Sequence, residues 1–342
     1  PALPGRSPSA TKIRVIANEE IRLQYLPEMS HQEAPDAEPI PGTLNLALAA
    51  AASAAALGLL VFASRTPSWG WRIAAAVAFS YVNNTIFSLL HEAVHGHLHP
   101  NPRVNEMAGR FLAAFFPTGL GFQRICHLGH HRRNRTDAEV FDYILPGESR
   151  LLKTAQWYGI LTGLYWLLPP IGCLLYLIWP DFFHLSERLK GTRYFRQTST
   201  AAMLSGFEGA PRGTIRLEIL FSFAFQAAMI WLLKLTPAGW LTCYAAFGFN
   251  WSSLQYADHA FTERDVHDGA WNLRVSRPVQ YLFLNYHHHK AHHRDPRIPW
   301  IHLPKHVDFS ERRPAFLGVW LRMWRGPRVW REGREARGET PT

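Results

Sequence analysis

Cysteine is nearly absent. The 342 residues include three, Cys126, Cys173 and Cys243, and no two of them form a C-x-x-C pair. That spacing excludes a thiolate zinc site and a cysteine-held iron–sulfur centre, and it offers no disulfide framework. Cys126 beside His127 reads as a small buried residue. Acid is the scarcer charge, with 26 Asp and Glu against 36 Lys and Arg and a net charge of +10. No basic, apolar and cleavage segments follow one another at the N-terminus, so no cleavable signal is expected. Residues 1–43, rich in Pro, Ala and Glu, read as a mostly disordered lead-in. No repeat of fixed period occurs. Charge is missing entirely from 44–64 (LNLALAAAASAAALGLLVFAS), an apolar run long enough to cross a bilayer.

Three further stretches, 73–91, 215–235 and 238–257, share that character. The expected fold is an all-α integral membrane protein. It has four transmembrane helices, re-entrant or interfacial helices, and a cytoplasmic helical cap that carries the histidine clusters described next. Lys12, Arg14 and Arg22 place the N-terminus on the cytoplasmic side by the positive-inside rule. Parity then returns 73–91 and 238–257 to that same side. The segments 155–179 and 107–122 are apolar too, but a full crossing by 155–179 would put later residues on the wrong face. Pro169-Pro170 breaks the first and Arg110 and Pro117 interrupt the second, so both are read as re-entrant. Backbone of that kind at membrane depth must be covered by protein. The basic residues flank apolar spans, which argues for anionic headgroups and against nucleic acid. The segment 318–332 (GVWLRMWRGPRVWRE) alternates Trp with Arg and reads as an interfacial or disordered tail.

Histidine is abundant where those spans end. The clusters are His91-Glu-Ala-Val-His95-Gly-His97, His127-Leu-Gly-His130-His131 and His287-His288-His289-Lys-Ala-His292-His293. Residues three or four apart share a helix face, so each cluster can present convergent ring nitrogens. Imidazole is the commonest metal ligand near neutral pH. His91, His95, His127, His130, His131, His289, His292 and His293 exceed the about four to six ligands of one transition metal, so two metals are expected. Many imidazoles with few carboxylates suit iron, copper or zinc, and zinc has no redox chemistry. Glu92, Asp137, Asp258 and Asp268 are candidates to fix ring tautomers from behind. His97, His99, His287 and His288 are extra, although His288 also stands four before His292.

The series H-x-x-x-H after a span, H-x-x-H-H, and a late H-x-x-H-H resembles the membrane fatty acid desaturase superfamily. The third cluster runs on through Pro296, Pro299-Trp300 and Leu303-Pro304, similar to the ending found in bacterial desaturases and carotenoid ketolases. Thr136-Asp137-Ala-Glu139 is similar to the acidic stretch that follows the second box there. The likeness covers roughly 44–310, which is taken as the desaturase-like domain, with 311–342 as the tail. It implies a diiron centre held by the eight histidines, O2 as co-substrate, and hydrogen abstraction from a fatty acyl chain, ending in desaturation. It also implies that a lone histidine after the last span is a ligand, and His259 matches. An Asn four before that histidine joins the shell through water in some members; here the position is Gln255.

Alternatives remain open from the sequence. A hydroxylase or a terminal-alkene-forming decarboxylase would use the same centre, and a carotenoid ketolase or hydroxylase shares the late motif. A histidine-rich metal transporter or receptor should instead carry its ligands near the midplane. Electrons must come from a separate protein such as a ferredoxin, a rubredoxin or a cytochrome b5-like protein. The expected setting is a bacterial inner membrane with both termini and the active site on the cytoplasmic side. Small residues in 44–64 allow close helix approach. An apolar tunnel from the metals, walled by Phe87, Tyr244 and Phe247, is expected to take the acyl chain.

Overall fold

The computed structural model describes residues 38–184, 204 and 206–330. The lead-in over 1–37 and the last part of the tail, 331–342, lie outside the described residues. Two long helices come first, α1 (Gly42–Arg65) and α2 (Trp69–His95). The turn between them is set by Ser68, whose side chain accepts from Trp71 N and caps α2. At the other end Gly96 adopts φ 83, a left-handed conformation that glycine takes without steric cost, so α2 stops directly after His95. The first cluster therefore sits on the last turns of a membrane-length helix.

Two shorter helices follow, α3 (Pro102–Phe115) and α4 (Leu120–Arg133), then α5 (Arg150–Leu161) and α6 (Leu168–Ile178). Next come the long α7 (Arg212–Leu232) and α8 (Pro237–Ala257), and then the short α9 (Arg277–Leu282), α10 (His289–Arg294) and α11 (Phe316–Met323). A single parallel pairing joins β1 (Tyr143–Ile144) to β2 (Arg328–Val329) among the described residues. Helices α1, α2 and α7 are each long and apolar enough to cross a membrane. Helix α8 has the length but is more polar than that, with Asn250, Ser252, Ser253 and Gln255 on its second half. Ser252 and Ser253 are buried in the bundle, so its polarity is turned inward. The protein is an all-α integral membrane protein.

Contacts at the helix ends fix which way each runs. Asn45, at the start of α1, donates to the carbonyls of His97 and Leu98 at 3.2 and 3.0 Å, just past the end of α2. Thr236, which caps the start of α8, donates to Ser64 O at the far end of α1. Helices α2 and α8 thus both run toward the histidine end. Helix α2 is the central one: 67% of its most apolar window is buried, against 33% for α1 and α7. Their remaining apolar faces, with Phe62, Leu217, Leu220, Phe221 and Trp231 exposed, meet lipid.

The segment expected to be broken at Pro169-Pro170 bends elsewhere. Helix α5 meets the following arm, Leu164–Ile178, which ends in α6, at 90°, and the break falls at Thr162–Gly163. Gly163 has φ 90, and a Cβ there would lie 2.6 Å from the backbone nitrogen of Phe249. The two prolines instead occupy the first turn of α6, where the missing N–H costs no helical hydrogen bond. The 107–122 segment is two helices with a break at Phe116–Gly119. Gln226 donates to Ala114 O at 2.8 Å and the Tyr244 hydroxyl donates to Phe115 O at 3.0 Å. These bonds satisfy carbonyls that would otherwise end a helix unpaired at membrane depth. The hydroxyl of Tyr244, a residue expected to wall a tunnel, caps the end of α3. The tail also differs. Residues 311–330 pack onto the body: Trp157 Nε1 donates to Met323 O at 2.7 Å, and β2 pairs with β1.

Candidate metal centre

Nine histidines gather at one end of the bundle in two groups. His91, His95, His127, His131 and His292 form one, and His130, His259, His289 and His293 form the other. Within each group the candidate ligand atoms all lie within 4.8 Å of one another. Helix α2 supplies two, α4 three, α10 three, and His259 follows directly on α8. The groups interleave because His130 and His131 are adjacent on α4 and so point to different sides, as do His292 and His293 on α10. His259, far in sequence from every cluster, is brought beside His130 with Nε2–Nε2 3.2 Å. His288 belongs to neither group and stacks on His287 at 3.9 Å, so His289 is the residue that turns inward.

The ring nitrogens face one another closely. Nε2–Nε2 separations are 2.9 Å for His95–His127, 3.0 Å for His127–His131 and 3.0 Å for His131–His292. Two imidazoles bound to one metal at ~2.0–2.1 Å stand about 3 Å apart at ordinary bond angles. The tautomers support the same reading. His259 Nδ1 donates to Gly269 O at 2.9 Å, and His130 Nδ1 lies 2.7 Å from the Glu139 carboxylate. With the proton held on Nδ1, both Nε2 atoms are bare. Two bare nitrogens at 3.2 Å have no proton to share and are satisfied only by a cation between or beside them. His91 Nε2 and His293 Nε2 are buried with no hydrogen-bond partner, as a ligand atom would be. Burial, reinforced by neighbouring histidines, holds His127, His131, His259, His289, His292 and His293 well below the usual histidine pKa. Neutral imidazole is the form that binds metal. The donor set fits two borderline transition metals such as iron.

The supporting residues are only partly those expected. Glu139 is the acid that reaches a cluster; Arg133 donates to its other oxygen at 2.9 Å. Asp137 points away and pairs with Arg264 at the surface. Glu92 does not hold His91, which is 3.7 Å away; it accepts from Trp300 N at 3.1 Å. Trp300 Nε1 donates to Asn45 at 2.9 Å, so the late Pro-Trp motif clamps the third cluster against α1 and α2. Asp268 pairs with Arg294 and Lys290. Asp258 is fully buried with neither carboxylate oxygen hydrogen-bonded, and its backbone carbonyl accepts from Trp271 N. Gln255 Oε1 accepts from the Tyr286 hydroxyl at 3.1 Å, and its amide nitrogen is buried without a partner. His97 stacks on His95 at 6.1 Å, outside both groups. Asn134 was missed altogether: its amide donates to Val266 O and Gly269 O, steadying the carbonyl that orients His259.

An aromatic wall leads from the histidines into the bundle. The Tyr286 ring sits 5.2 Å from His91 and 5.0 Å from His289. Phe87 lies 6.1 Å from Tyr286, 5.1 Å from Phe116 and 5.4 Å from Trp251. Phe247 packs on Phe116 and Trp166. Around the site the loops are locked by a buried ion pair. Arg135 and Asp142 meet at 2.5 Å, with Tyr256 and the Phe261 amide also donating to Asp142. Arg135 in turn donates to Thr262 O, so the loop after the second cluster is bolted to the loop after His259.

Comparison with known proteins agrees in extent with this geometry. The sequence model described as fatty acid desaturase matches residues 67–325. A sphingolipid delta(4)-desaturase of Drosophila melanogaster is 23% identical over 256 residues, covering 72% of this chain and 68% of its own. The matched span takes in both histidine groups and the tail as far as α11.

Proposed function

The chain belongs to the fatty acid desaturase family, and from that premise we propose that it is an O2-dependent diiron enzyme that desaturates a fatty acyl chain. The observation that carries this reading is the division of nine histidines, each buried or half-buried, into groups of five and four. The group of five around His95 would hold one iron and the group of four around His259 the other. The chemistry such a centre supplies when loaded is oxygen-dependent removal of hydrogen from an unactivated C–H bond, which no side chain achieves alone. In the overall balance, two hydrogens leave adjacent carbons, two electrons and two protons come from outside, and O2 leaves as two waters.

The chain's own residues supply position and environment. Glu139 and the Gly269 carbonyl keep the protons of His130 and His259 on Nδ1 and so aim Nε2 inward. Tyr286, Phe87, Phe116 and Trp251 form an apolar wall that keeps water from the inner side of both groups. We place the acyl chain along this wall, between α2 and α8, with Phe87 and Phe247 bounding its far end. The histidine groups lie at span ends rather than at the midplane, which favours an enzyme over a metal transporter. The lipid named for the Drosophila relative supports a lipid-linked acyl substrate. The cytoplasmic face of a bacterial inner membrane is the setting we propose, with electrons from a ferredoxin, rubredoxin or cytochrome b5-like protein.

The test pairs metal analysis with product analysis. Protein purified from cells in which it is active should carry two irons per chain, and the lipids of those cells should gain a double bond. Stoichiometric zinc in active protein would overturn the metal assignment. Hydroxylated lipid, a terminal alkene or an oxidised carotenoid as the sole product would overturn the desaturase assignment.

A further inference from the structure

Where the tail meets the loop after His259, five arginines converge with no acid paired to them among the described residues. A cleft of about 370 Å³ is lined by Ala260, Phe261, Trp271, Arg274, Arg312, Arg313 and Arg322, among others. Arg328 joins them, with its guanidinium 4.5 Å from the Phe261 ring centre; Arg322 lies 6.0 Å from the same ring. Backbone bonds build the wall: Arg274 N donates to Pro314 O at 2.8 Å and Phe316 N to Arg274 O at 3.0 Å. The cluster is therefore held by the docked tail and is not a chance meeting of surface side chains.

No carboxylate among the described residues hydrogen-bonds or pairs with these five. Glu311, next to Arg312, is turned to Lys290 and Arg294, and Asp308 is occupied by Ser310. Arg313 Nε and Arg328 Nη1 are sealed from solvent and have no acceptor. Buried donors are almost always satisfied, so these two call for a ligand. Partial burial, and after it the neighbouring guanidinium groups, push the pKa of Arg313 and Arg322 down. The adjoining surface is apolar. Leu317 and Leu321 on α11 are exposed, and Trp320 touches the exposed Phe249 of α8 at 6.2 Å.

We infer that this cleft is a phosphoryl-binding site. A guanidinium presents a planar fork that matches phosphate oxygens two at a time, and several around one cleft would neutralise the charge of a phosphoryl group. Because the cleft opens beside an apolar face continuous with a span, the source the surroundings favour is the headgroup of an anionic phospholipid. A soluble phosphate ester offers the same chemistry. This inference goes beyond the desaturase reading and does not depend on it, since it concerns neither the metals nor the reaction.

The full chain, stripped of lipid and held in phosphatidylcholine nanodiscs, is titrated with phosphatidylglycerol and, separately, with inorganic pyrophosphate. Retained lipid is counted by native mass spectrometry, and bound pyrophosphate by calorimetry. We expect phosphatidylglycerol to be retained about ten-fold over phosphatidylcholine, and the Arg312→Gln, Arg313→Gln double variant to lose that preference. Arg312→Lys should keep part of it, since it retains the charge but not the fork. Pyrophosphate binding that needs the same arginines, without lipid preference, would support the site and assign it to a soluble ester. An undiminished preference in the double variant, or no binding of either probe, overturns the inference. Should the double variant not fold, the solvent-exposed Arg312→Gln alone carries the same comparison. Iron content, read in parallel, separates this result from any failure of the desaturase reading.

Discussion

At the scale of single residues, what decides the site is which polar group stands behind each imidazole. Asp137 and Glu139 are two apart, and their placement differs completely. Glu139 is clamped between Arg133 and His130, whereas Asp137 is spent on Arg264 at the surface. Removing a group that orients a metal-bound histidine typically costs about 10–100-fold in metal affinity or activity. Glu139→Gln should fall in that range, read as iron per chain and as product formed. Asp137→Asn should leave iron content unchanged. Equal iron loss in both would show that the acidic stretch acts through its overall charge.

At the scale of elements, the interrupted helices depend on polar residues from neighbouring helices. Tyr244 and Gln226 satisfy the carbonyls that end α3, and Gln226 also donates to the Tyr244 hydroxyl at 2.9 Å. Tyr244→Phe leaves a buried carbonyl short of a donor. The expected cost is about 1–3 kcal/mol, seen as a lower melting temperature in detergent with iron content retained. The bend between α5 and α6 rests on Gly163, whose φ and close backbone neighbour exclude a side chain. Gly163→Ala should destabilise by at least the ~1–3 kcal/mol of a strained backbone. A variant as stable as the parent would mean that the bend is set elsewhere. Pro169→Ala, in the first turn of α6, should cost much less.

At the scale of the whole molecule, the helix directions and the collected histidines make two claims. First, the α1–α2 turn and the cap lie on opposite sides of the membrane. Maleimide should label Ser68→Cys and Ser310→Cys, both exposed, from opposite faces of sealed vesicles. Labelling from one face would break the topology. Second, the buried histidines couple stability to pH. Their folded-state pKa values lie below 6.5, so the unfolded chain binds protons that the folded one does not. Stability is then fully present above pH 6.5 and falls as pH drops below it. Metal loss should accompany the fall, because ligation needs the neutral ring. Melting temperature and retained iron measured between pH 5 and 8 should therefore decline together toward the acid side. A melting temperature that rises on acidification would contradict this.

The sequence by itself determined the class of protein and pointed to the histidines that the fold gathers into two groups. An uncharged run longer than a bilayer is thick can only be membrane-embedded. The three-and-four spacing of histidine is a local helical fact, readable without knowing how the helices pack. His259 was singled out by the family resemblance, and counting crossings was consistent with its lying on the same face as the clusters. The tertiary structure alone decided how the nine histidines divide, because adjacent residues such as His130 and His131 part company only when helices arrive from both sides. It alone chose Glu139 over Asp137, gave Tyr244 to a helix end, and moved the break in 155–179 from the prolines to Gly163. Those choices rest on contacts between residues far apart in the chain, for which local spacing carries no signal. The arginine cleft belongs with them. Arg274, Arg312, Arg322 and Arg328 look like scattered positive charge along the sequence, and they become a site only where the tail folds back onto the loop after His259.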